Sequence, residues 1–106
     1  VKLGVVCTIA LLIAGGAASG EEAGQVAMED TPGCDEFVVE TAGGYVLLEW
    51  YGGVTSVWEG DKVFGDLHSY GMKDIYIDGR GEMRVWIDDF MVGHSKASSH
   101  FEEACD

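Results

Sequence analysis

Nine glycines fall between Gly43 and Gly81, and they cut that stretch into short runs rich in β-branched and aromatic residues. Glycine inside a regular element costs conformational entropy, so this density marks turns, bulges and bends between short strands. Phe37–Thr41 and Tyr45–Tyr51 flank Ala42-Gly43-Gly44 and read as a hairpin, which Gly52-Gly53 ends. Val54–Glu59 is expected to form another short strand. Val63–Leu67 follows with a kink at Gly65, then Lys73–Ile77, then Glu82–Phe90, the clearest strand. Within that last run Met83, Val85 and Ile87 point one way, and Glu82, Arg84, Trp86 and Asp88 the other. The period then changes. Ser95 is placed to cap a helix through Cys105, with Ala97, Phe101, Ala104 and Cys105 on one face. Five or six short strands with frequent turns predict a mainly β domain. The expected form is a small barrel-like or strongly bent antiparallel sheet of OB- or SH3-like type, with one C-terminal helix.

The first twenty residues belong to a different regime. Lys2 precedes an apolar run from Leu3 to Ala14, and small residues follow as far as Gly20. This is the layout of a secretory signal peptide. A spanning helix needs about 20 apolar residues, more than this run supplies, so no stable membrane span is expected after cleavage. Residues 21–33 (EEAGQVAMEDTPG) are acidic and poor in large apolar side chains, which predicts a flexible leader. The expected organisation is a signal peptide over 1–20, a flexible acidic leader over 21–33 and one β-rich domain over 34–106. The expected location is exported, in a bacterial periplasm or outside the cell.

Export bears on the cysteines. Removing residues 1–20 takes Cys7 away and leaves Cys34 and Cys105, one before the first apolar strand and one at the chain end. An even count in an oxidising compartment predicts a bridge. No C-x-x-C occurs, and no histidine lies within four residues of either cysteine, which argues against a redox or metal thiol pair. Cys105 on the inner face of the predicted helix would reach back to Cys34.

The 106 residues include 19 acidic and 6 basic side chains, for a net charge of −13. Cleavage would remove Lys2 and no acid, deepening the charge to −14 on 86 residues. Such a surface cannot meet phosphates, so nucleic acid is excluded as a partner, and an anionic membrane surface is disfavoured. A positive partner is favoured: a cationic protein or peptide, or a divalent metal held diffusely by the acidic surface.

The segments G-Y-V-L-L-E-W-Y-G-G (Gly44–Gly53), E-G-D-K-V-F-G-D-L (Glu59–Leu67), S-Y-G (Ser69–Gly71) and R-V-W-I-D-D-F (Arg84–Phe90) together resemble a family of small exported bacterial proteins of unknown function. The resemblance implies one compact domain and no activity.

No nucleophile–base pair, P-loop or dinucleotide fingerprint is present, so no catalytic residue or cofactor is expected. Asp74, Asp78, Gly79, Gly81 and Glu82 lack the alternating spacing that wraps calcium. His68, His94 and His100 show no zinc-ligand spacing, and no metal site is expected. The candidate binding face combines Trp50 and Trp86 with Glu49, Asp88 and Asp89. Trp86 falls on the polar parity of its strand; packing beneath the terminal helix is the plainer expectation, and an exposed aromatic platform the alternative. The expected function is a non-enzymatic binding or interaction module. Alternatives are an inhibitor or immunity-type protein for a cationic enzyme, and a small cell-wall glycan hydrolase working through paired acids.

Overall fold

A computed structural model describes residues 21–105. The expected signal peptide over 1–20 lies outside the described residues. Six strands follow one another: β1 (Glu22–Met28), β2 (Glu36–Thr41), β3 (Gly44–Gly53), β4 (Lys62–Gly65), β5 (Gly71–Ile77) and β6 (Gly81–Val92). Among the described residues one helix, α1 (His94–Ala104), follows β6. The strands close into an antiparallel barrel in the order β1-β2-β3-β6-β5-β4, with β4 pairing back onto β1. The mainly β, barrel-like expectation with a C-terminal helix holds.

The barrel interior is filled as alternation requires. Phe37 and Val39 of β2, Val46 and Leu48 of β3, and Met83, Val85 and Ile87 of β6 all point inward and are buried. A second, smaller core lies outside the barrel wall. Val38 and Leu47, on the opposite parity of their strands, pack with Val92 and with Ala97 of α1, flanked by Met28, Tyr45 and Phe101. This explains why F-V-V and V-L-L are unbroken apolar runs. Both faces are covered, one by the barrel interior and one by the helix.

Two expectations are corrected. Residues 21–33 do not form a flexible leader, because β1 lies within them and is hydrogen-bonded on both edges. Gly24–Met28 pairs with Val38–Thr41, and Glu22–Gln25 with Lys62–Gly65. Its side chains signal this weakly, since Val26 alone is fully buried. The strand is held mainly by its backbone, and Gly24 permits a close approach. A Cβ there would stand 2.5 Å from Val39 Cγ1 and 2.8 Å from the Glu40 carbonyl oxygen. Val54–Glu59 is not a strand. β3 already has β2 and β6 as neighbours, and β4 must join β1 and β5, so the connection has to cross one end of the barrel. Val57 drops into the core as it crosses, and its N–H donates to Thr31 Oγ1 at 2.9 Å.

The helix begins two residues earlier than Ser95 suggests. Gly93 is the N-cap, in an extended conformation directly after β6, with no side-chain capping bond. At the other end Cys105 caps the helix and is disulfide-bonded to Cys34, as expected from the sequence. Among the described residues no helix is long and apolar enough to cross a membrane. A small disulfide-bonded domain of this kind is compatible with export.

Candidate functional site

The outer wall of the barrel is divided. α1 covers the β1–β2–β3 side through the second core, and the β3–β6–β5 side is open. Register places Glu36 opposite Glu49, Glu49 opposite Trp86, and Trp86 opposite Met72. One row therefore runs around four strands, acidic at the β2–β3 end and apolar at the β6–β5 end. Trp86 is 40% exposed and Met72 44%. The expectation that Trp86 packs beneath the helix is thus corrected. Ile87 and Val85 take the inward parity, and α1 seats on β2 and β3, away from Trp86.

A bulge shapes the acidic end. Leu48 pairs with Ile87 but Leu47 pairs with Asp89, so Asp88 is an extra residue in β6. Bulges turn a side chain out of the regular alternation. Here the Asp88 carboxylate comes to the seam between barrel and helix, where Glu36 and His100 meet it. One ligand-type atom from each of the three lies within 4.8 Å of the others. His100 Nε2 stands 3.1 Å from Glu36 Oε1. Burial, reinforced by the Asp88 and Glu49 carboxylates, pushes the Glu36 carboxyl above the usual range, against the opposing pull of His100. Beside this cluster a polar depression of about 400 Å³ is lined by Asp30, Asp35, Glu36 and Glu49 next to the disulfide.

Cations are distributed unevenly. Arg80 pairs with Asp61, Lys73 with Asp66, Arg84 with Asp74 and Lys96 with Asp89, at 2.7, 3.4, 2.9 and 2.9 Å. Among the described residues no lysine or arginine pairs with Glu36, Glu49 or Asp88. The uncompensated charge of this wall therefore gathers beside Trp86.

The five residues singled out from the sequence do not all come together. Glu49, Trp86 and Asp88 share the outer wall. Asp89 is engaged internally: it accepts from Lys96 and from the Phe90 N–H, and the Lys96 ammonium holds its carboxyl below the usual range. Trp50 takes the inward parity, packs on the main core and donates its indole N–H to the Val54 carbonyl at 2.8 Å. It lines a separate apolar recess of about 210 Å³ at the barrel end, with Phe37, Met83 and Thr55. His68 is tied between Glu22 and Thr41, and His94 stacks edge-on against Tyr45. Glu36 went unnoticed in the sequence and His100 was weighed only against the other histidines, since 64 residues separate the two and no spaced motif joins them.

Fold and surface together define a small closed β-barrel, clamped by a disulfide to a terminal helix and carrying an acidic wall with an exposed aromatic. No family model, curated protein or solved structure matches the chain.

Proposed function

We propose that this protein is an exported, non-enzymatic binding module that receives a cationic protein or peptide on the β3–β6–β5 wall. The observation that carries this reading is the juxtaposition of exposed Trp86 and Met72 with Glu49, Asp88 and Glu36, whose charges no lysine or arginine balances among the described residues. Tryptophan buries a large apolar area at small entropic cost and is a frequent anchor of protein interfaces. Uncompensated carboxylates beside it steer a positive partner and set its orientation. Export is supported by the Lys2-to-Gly20 segment and by the Cys34–Cys105 bridge.

The test is capture of proteins from a periplasmic extract at fixed salt, with bound species identified by mass and titrated afterwards in pure form. A single basic protein should bind the wild type and lose roughly thirtyfold in affinity on Trp86→Ala, the effect of removing an interface anchor. If basic proteins of unrelated shape bind alike, and all release with moderate salt whatever stands at position 86, the wall is only acidic and the proposal fails.

A further inference from the structure

We infer that Glu36, Asp88 and His100 form a binding site for a divalent transition-metal ion of the zinc class. The three side chains come from three elements: Glu36 from the start of β2, Asp88 from the bulge of β6, His100 from the middle of α1. Their ligand atoms already lie within 4.8 Å of one another. An ion held tetrahedrally with bonds of about 2.0–2.1 Å spaces its ligands roughly 3.3 Å apart. Glu36 Oε1 and His100 Nε2, at 3.1 Å, stand close to that separation. Asp88 is exposed on its bulge, where a side-chain adjustment from within 4.8 Å of both would close the other two edges.

The donor set selects the ion. An imidazole nitrogen with two carboxylates suits zinc and its first-row neighbours, whereas calcium and magnesium prefer oxygen alone. Two carboxylates and a neutral imidazole carry two negative charges, which a divalent ion balances. Among the described residues no lysine or arginine does so. Three protein ligands leave a position for water on the solvent side.

The scaffold holds two of the ligands in place. Glu36 lies two residues after Cys34, and His100 five residues before Cys105. The bridge brings those cysteines to a Cα separation of 5.4 Å. It thereby fixes α1 against β2 at the point where the two ligands meet. Its main-chain neighbours agree: the Glu36 N–H donates to Cys34 Sγ at 3.4 Å. Ligand sites gain affinity when their supports are rigid.

The inference shares Glu36 and Asp88 with the partner reading, but it is tested apart from that reading because metal binding alone is measured. The disulfide-bonded protein is titrated calorimetrically with Zn2+ in physiological salt, with Ca2+ and Mg2+ as competitors. Co2+ serves as a spectroscopic probe of coordination. One Zn2+ per chain should bind, unaffected by excess Ca2+ or Mg2+. Affinity should fall at least about tenfold on His100→Ala and on Asp88→Asn, and remain unchanged on Asp78→Asn, a distant exposed acid. Asp88→Asn guards against a folding artefact at His100, since Asp88 is exposed and its neutral isostere keeps the bulge. Several weak, equivalent ions that Ca2+ displaces, or affinity indifferent to both ligand substitutions, would overturn the inference and leave Glu36–His100 as a hydrogen-bonded contact only.

Discussion

Cys34 and Cys105 join the entrance of β2 to the end of α1, with Cα atoms 5.4 Å apart across 71 residues of sequence. The bridge spans almost the whole described domain and ties the second core shut. A loop of that length contributes about 4–4.5 kcal/mol in the chain-entropy model. Cys34→Ser should lower the unfolding free energy by about 2–5 kcal/mol, the usual effect in small secreted domains. Urea titration of oxidised wild type against the variant measures it. Phe101 should become solvent-accessible first, since helix packing is what the bridge secures.

Gly24→Ala tests whether β1 belongs to the fold. The added methyl would meet Val39 and the Glu40 backbone, and the barrel wall has no slack there. A loss of about 1–3 kcal/mol is expected from overpacking, read as a lower melting temperature. An unpaired leader would tolerate the change without effect.

Trp86 and Ile87 are adjacent in sequence and opposite in burial. Ile87→Ala should cost about 2–5 kcal/mol through cavity formation in the barrel. Trp86→Ala should stay within about 0.5 kcal/mol of wild type, as surface substitutions do. The pair separates binding from stability at neighbouring positions, measured by thermal unfolding.

Asp66 gives a pH signature. Its carboxylate accepts from Ser69 Oγ at 2.8 Å and faces Lys73 at 3.4 Å, and these contacts, led by Ser69, hold its carboxyl below the usual aspartate range. A lowered folded-state value means the stabilisation is present above the ordinary aspartate pKa and disappears as pH falls through the folded one. Asp66→Asn should therefore cost something at neutral pH, less than about 1 kcal/mol for so exposed a pair. The two proteins should converge in acid. Unfolding curves across pH 2–7 would show it, the window in which carboxylates titrate.

Much of the barrel was legible because its strands carry their burial in side chains. Met83, Val85 and Ile87 alternate cleanly with Glu82, Arg84 and Trp86, and the structure keeps that parity. β1 was illegible for the opposite reason. It is secured by main-chain pairing on two edges, and main-chain bonds leave little trace in composition. Val54–Glu59 has strand-like residues, yet closure of the barrel left it no partner, and tertiary context overrode propensity. The acidic wall was half legible. Glu49, Trp86 and Asp88 were named, but period puts Glu49 and Trp50 on opposite faces without saying which is wet, and only the fold sends Trp50 to the interior and brings His100 onto Glu36. A bulge at Asp88 cannot be read from two consecutive aspartates.

Because β4 pairs back onto β1, every described strand has a neighbour on both sides. An open sheet exposes a row of free N–H and C=O groups, on which any extended peptide can lay itself regardless of sequence. Closure removes that generic template. Among the described residues the exception is the β4–β5 seam, where only Val63–Phe64 pairs with Tyr76–Ile77 and the first part of β5 has β6 alone as a partner. Elsewhere around the wall an incoming chain has to be recognised through projecting side chains, and copies of this domain crowded together find little backbone on which to stack.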